Sequence, residues 1–174
     1  MTRALWIRCV TSLGLACALA ATAAEKKPDI FLIEYQAFRP NMYFGLNNGP
    51  KTTLFTAIQS EQQWRELWAQ IEPRVARDTD QRRPHPFPHI DFTRKTLLVA
   101  ALGTKPTGGY SVSINSVVES PTHIRINVIA LRPMNCGSEL HGITLTTTSP
   151  IALILIPKAT KPVEFSTIEA EDSC

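Results

Sequence analysis

Hydrophobic and polar positions along this chain follow two distinct periods and one unbroken apolar run, and each predicts an element. The helical one is the clearest. Trp64, Leu67, Trp68 and Ile71 recur at i, i+3, i+4 and i+7, which draws a single apolar stripe down a helix. Ser60 stands before the stripe as an N-cap, with Gln63 three places on to complete a capping box. Glu61 falls in the first turn, where the helix dipole favours negative charge. Pro73 marks the expected end. Two tryptophans on one face predict a helix docked on a sheet.

A period of two governs the second half. Tyr110, Val112 and Ile114 alternate with Ser111, Ser113 and Asn115, and Ile124, Ile126 and Val128 alternate with Arg125 and Asn127. Pro121 and Thr122 separate the two runs, so they predict an antiparallel hairpin. Residues 96–102 have no polar alternation beyond Thr96, as expected of a strand buried on both faces. Further strands are expected at 30–35, 52–58, 143–147, 151–156 and 163–168. Residues 39–51, with Gly45, Asn47, Asn48 and Gly49, and residues 74–90, with Pro84, Pro86 and Pro88, read as loops. The predicted fold is α+β: a mainly antiparallel, sandwich-like β-sheet with one amphipathic helix packed on it.

The hairpin brings two distant loops together. The start of its first strand lies beside the end of its second, so Lys105, Pro106, Thr107, Gly108, Gly109 and Tyr110 should adjoin Arg132, Pro133 and residues 134–137. Pro106 removes freedom at φ, while Gly108 and Gly109 permit positive φ and close backbone approach. A stiff loop loses little entropy on binding. Tyr110 and Arg132 are of types enriched at binding hot spots. An ordinary long turn with a buried tyrosine is the alternative. The binding reading selects Lys105–Pro106–Thr107–Gly108–Gly109–Tyr110 with Arg132–Pro133.

Charge and cysteine content change meaning at the N-terminus. Arg3 and Arg8, a short apolar run ending near Ala20, and the small residues Ala21, Thr22, Ala23 and Ala24 make the three parts of a secretory signal. Cleavage is expected before Ala24 or Glu25, placing the product in the periplasm or outside the cell. The apolar run falls short of the ~20 residues a spanning helix needs, so no integral membrane segment is expected after processing. Without residues 1–24, 150 residues remain as one domain, and the net charge falls from +3 to +1. Neither nucleic acid nor an anionic membrane is an expected partner. Only Cys136 and Cys174 survive processing, which predicts one disulfide worth roughly 4 kcal/mol. The alternative leaves Cys174, the last residue, unpaired.

Chemical motifs are sparse. His85, His89 and Asp91 would suit a metal on a helix, but Pro84, Pro86 and Pro88 forbid one there. His123 falls in the solvent register of its strand. No Gly-x-Ser-x-Gly elbow is present, and Ser111 sits in a strand rather than a strand-to-helix turn. No catalytic residue, metal or cofactor is expected; a hydrolase is the last of three readings, because sequence order does not fix a Ser–His–acid triad.

Several of these segments together resemble the PrcB C-terminal domain family. They are Ser60 to Trp64 with Leu67 and Trp68, Asp91-Phe92, the run from Leu102 through Lys105-Pro106-Thr107-Gly108-Gly109-Tyr110 to Val112, Arg132-Pro133, Cys136-Gly137, Thr148-Ser149-Pro150 and Ile156-Pro157-Lys158. The similarity covers roughly residues 52–168. It departs at Ile151, where the family often carries an aromatic. The family takes its name from a protein that binds and stabilises a secreted serine protease. The resemblance therefore implies a non-catalytic, protease-associated protein. A second, local similarity links Pro106-Thr107-Gly108-Gly109-Tyr110 and Arg132-Pro133 to paired loops of chagasin-type cysteine-peptidase inhibitors, although the third, Gly-rich loop of those inhibitors has no counterpart between 110 and 132. That similarity implies, as an alternative, direct inhibition through residues 105–110 and 132–134.

Overall fold

A computed structural model describes residues 30–39, 49–75, 87–133 and 146–171. Among these residues eight strands and one helix follow in order: β1 (Phe31–Leu32), β2 (Gln36–Ala37), β3 (Thr53–Ile58), α1 (Glu61–Val75), β4 (Lys95–Leu102), β5 (Ser111–Glu119), β6 (Ile124–Arg132), β7 (Ile151–Pro157) and β8 (Val163–Glu171). They form two four-stranded sheets, ordered β1-β5-β6-β8 and β2-β7-β4-β3. The α+β sandwich expected from the sequence is the observed fold.

Three layers result, and β4 lies in the middle one. Alternate side chains on a strand point to opposite faces. Leu97, Val99 and Ala101 therefore pack towards the helix with Trp64, Leu67, Trp68 and Ile71. Leu98 and Ala100 pack the other way, against Ile126 and Val128 of β6. A strand covered on both sides has no solvent face, which is why residues 96–102 read as a continuous apolar run. Thr96 is the polar exception: its Oγ1 accepts a hydrogen bond from the Ala159 N–H at 2.9 Å, so the buried hydroxyl is satisfied.

The helix forms where its stripe predicts, with two local differences. Ser60 Oγ accepts from the Gln63 N–H at 3.3 Å, but the Gln63 side chain accepts from the Gln59 N–H at 2.9 Å instead of returning to Ser60. The cap is thus shared over one more residue. The helix also runs past Pro73 to Val75. Proline removes one N–H, yet its fixed φ is itself helical, so near a helix end it deletes a bond without unwinding the chain.

The predicted hairpin is present as β5 and β6, with Ser111 opposite Leu131 and Glu119 opposite Ile124. A bulge lies between Ile114 and Ser116, and the Ser120 N–H to His123 carbonyl bond of 2.9 Å closes the turn. Strand β7 lies in the other sheet, so the chain returns to the first one in the direction of β6. Hence β8 pairs parallel to β6 over its whole length, from Ile124 with Val163 to Arg132 with Glu171.

Two expected strands differ. Residues 30–35 do not form one strand. Phe31 and Leu32 pair with Glu119 and Val118 on β5, the chain then crosses over, and Gln36 and Ala37 pair with Leu155 and Ile154 on β7. This strap joins the edges of both sheets, helped by the Tyr35 hydroxyl, which donates to the Ile114 carbonyl at 2.9 Å. The strand expected at 143–147 falls largely outside the described residues. Within them Thr146 lies in a bend, and the chain then makes a single bridge at Thr148.

Candidate functional site

The loop after β4 is shaped by a glycine. Gly103 has φ 72°, and a Cβ there would lie 2.8 Å from the Thr53 nitrogen and 2.9 Å from the Lys51 carbonyl oxygen. Only glycine accepts both that φ and that closeness. The Thr104 N–H then donates to the Lys51 carbonyl at 2.9 Å, and the chain leaves the sheet.

Thr148 holds the loop from the other side. Its carbonyl accepts from the Lys105 N–H at 2.7 Å, and its own N–H donates to the Lys105 carbonyl at 3.0 Å. Its hydroxyl donates to the Thr107 carbonyl at 2.9 Å. Thr148 is buried, so these bonds are shielded from competing water. One residue thereby ties two points of the loop to the segment before β7.

Beyond these anchors the loop presents its tip. Pro106 and Gly109 are exposed, Thr107 and Tyr110 half-buried, and Gly108 buried. The positive φ expected of both glycines occurs only at Gly109, at 85°. Gly108 lies outside that region, buried within the bend over residues 106–108. The Lys105 ammonium sits 5.6 Å from the centre of the Tyr110 ring, a cation–π distance.

Tyr110 immediately precedes β5, and Arg132 ends β6 one position beyond the Ser111–Leu131 pair. The described parts of the two loops therefore do adjoin, as the hairpin predicted. Arg132 is not a free cation. Its Nη2 donates to Glu171 Oε1 at 2.6 Å, an exposed ion pair bridging β6 and β8. Pro133 follows, half-buried. Residue 134, Cys136, Cys174 and His85 lie outside the described residues, so the expected disulfide does too.

Sequence reasoning missed two members of this edge. Thr148 appeared only inside a Thr-Ser-Pro motif, and its hydroxyl role is not visible without the fold. Glu171 was beyond the expected end of the last strand. The signal for it was the continued alternation of Glu169, Ala170 and Glu171 after Ile168.

A concavity lies at the opposite end of the sheet from the 105–110 loop. It is an open cleft of about 750 Å3, lined in part by Tyr35, Asp91, Arg94, Lys95 and Pro157. The Thr93 hydroxyl, 2.5 Å from Asp91 Oδ1, together with the Thr93 N–H at 3.0 Å, holds the Asp91 carboxyl below its usual range. Those bonds are internal to the turn entering β4, and they give the carboxylate a structural task. Among the described residues no cluster of three or more metal-ligating side chains is present, and no helix is long and apolar enough to cross a membrane.

Residues 96–157 match the family model described as PrcB C-terminal. The matched stretch runs from β4 through β7, so it contains the 105–110 loop, Arg132 and the Thr148 tie but not α1 or β8. No curated protein and no solved structure matches the chain.

Proposed function

We propose that this chain is an exported, non-catalytic domain that associates with a protease outside the cytoplasm and stabilises or regulates it. The observation that carries the reading is the PrcB C-terminal match over residues 96–157, because the loop and its Thr148 tie fall inside it, while the Lys51 contact lies outside. The geometry supports a recognition role. A loop fixed at Gly103, Lys105 and Thr107 is ordered before it meets a partner, so binding costs it little entropy. Its exposed tip and the half-buried Tyr110 supply the contact chemistry.

Export is tested first by N-terminal sequencing of the secreted product, which should begin at Ala24 or Glu25; a start at Met1 refutes it. Association is tested by capture from the exported fraction, with captured proteins identified by mass spectrometry and assayed for proteolysis. Wild type should retain an active protease. Gly109→Val, which places a β-branched residue at φ 85°, should lose it while the domain stays folded. Full capture by that variant makes residues 105–110 a structural turn.

One observation favours a second reading. Two loops meeting at one end of a sandwich are also the arrangement of the chagasin-type inhibitors to which Pro106-Thr107-Gly108-Gly109-Tyr110 and Arg132-Pro133 are similar. Titration against a papain-type cysteine peptidase separates the two: inhibition abolishes activity, whereas stabilisation preserves it.

A further inference from the structure

The last strand is built unlike the other long strands. β8 is paired with β6 alone among the described strands, and it is an edge of its sheet over all 9 residues. Its burial alternates at first, with Val163 and Phe165 turned into the core and Phe165 lying 6.0 Å from the Phe55 ring. From Ser166 to Glu169 four consecutive residues are exposed, including Ile168 at 61%. Consecutive exposure in a strand means that both faces are open there, because neighbours point opposite ways. The outer half of β8 thus offers solvent two faces and an edge.

Charge says what such an edge accepts. The strand carries Glu164, Glu169 and Glu171 and no basic residue. Glu171 is engaged by Arg132, and Glu164 lies 3.9 Å from His123 Nε2 in a contact that is ionic only when that histidine is protonated. Glu169 has no ion pair with the described residues. Lys161, just before the strand, is turned away onto Glu119 at 2.5 Å and the Ser120 carbonyl at 2.8 Å. A second copy of β8 laid on this edge would add three more acids to a strand that carries no base, and that accumulated negative charge disfavours self-pairing. An extended basic segment meets the opposite situation.

We infer that the free edge of β8 takes an extended, basic segment of a partner protein as an added strand. Backbone hydrogen bonds would provide the pairing, and Glu164 and Glu169 the selection. Those two acids are five positions apart, so they face opposite sides of the sheet. The incoming segment therefore needs a cation on each face. The edge runs to Arg132 and Glu171, so the partner segment would end beside the 105–110 loop. This inference does not require the partner to be a protease.

The test uses the full exported domain and three labelled peptides. The first alternates threonine and valine, with lysines five positions apart. In the second, glutamate replaces lysine; in the third, prolines at alternate positions prevent strand pairing but keep the lysines. Fluorescence anisotropy reports binding, and amide hydrogen exchange reports where it occurs. The lysine peptide should bind and slow exchange within 163–171, and the other two should not. Glu169→Lys should weaken the lysine peptide about tenfold, and the Glu164→Lys/Glu169→Lys pair should transfer preference to the glutamate peptide. Glu169 is exposed, so the single variant keeps the test valid if the double variant melts early. No binding by the lysine peptide, equal binding by the proline peptide, protection outside β8, or an unchanged preference in folded variants each overturns the inference. Gly109→Val, which tests the loop, should leave peptide binding intact, so the two readings fail separately.

Discussion

Strands β4 and β8 have similar lengths and opposite circumstances. From Thr96 onward every residue of β4 is buried, whereas no residue of β8 is. The first has a sheet neighbour on each side and a packed layer on each face. Among the described strands the second has one neighbour, β6, and it covers the core only through its first residues. Their sequences follow from this. Burying apolar surface contributes about 25 cal/mol per Å2, so a two-faced strand gains from apolar residues at every position. An edge strand with open faces gains nothing by the same choice and risks self-association, which charges suppress. Burial is concentrated around β4, whereas β8 and the tip of the 105–110 loop lie at the exposed periphery.

The sharpest way to break the comparison is to remove material from the layer over β4. Trp64 is fully buried, with its ring against Phe38, Trp68 and Phe87 and its Nε1–H donating to the Pro88 carbonyl at 2.8 Å. Trp64→Ala should cost about 3–5 kcal/mol in chemical denaturation. A smaller loss would mean that the helix layer contributes less than its burial implies.

Next comes the exit from β4. Gly103→Val forces a β-branched side chain into φ 72° and onto the backbone of residues 51–53, and should cost roughly 2–4 kcal/mol by thermal or denaturant unfolding. Within β4 itself, Thr96→Val keeps the shape but leaves the Ala159 N–H without its acceptor. The expected loss is about 1–3 kcal/mol. A neutral result would show that another group satisfies that N–H.

On β8 the same kind of change should do little. Ile168→Ser removes an exposed side chain, so stability should stay within about 0.5 kcal/mol of wild type. A large loss would show that this face is covered in solution.

The smallest effect belongs to acid pH at the turn into β4. Thr93 lowers the Asp91 pKa in the folded state. The resulting stabilisation is present above the ordinary value of 3.8 and is lost as pH falls through the folded value below it. Wild type should therefore exceed Asp91→Ala in stability at neutral pH, and the gap should close below 3.8. A gap that stayed constant to lower pH would assign the difference to something other than ionisation.

Local patterns determined much of this protein. The stripe Trp64, Leu67, Trp68 and Ile71, the Ser60 cap, the doubly buried run after Lys95, and the β5–β6 hairpin are all legible because each signal and its structural partner lie within one or two turns or strands. The hairpin alone placed the 105–110 loop beside Arg132. Tertiary structure decided what depends on remote partners. Residues 30–35 carry an apolar run, Ile30 to Ile33, that reads as a strand, yet Phe31–Leu32 and Gln36–Ala37 are drawn to β5 and β7 in different sheets. The parallel pairing of β8 depends on β7 having crossed to the other sheet. Thr148 acts as a tie, and Arg132 is occupied by Glu171, only because segments 41 and 39 residues apart meet. Periodicity records whether a residue is buried. It does not record against what, because apolar burial has no direction and hydrogen bonds choose their partners only once the layers have met.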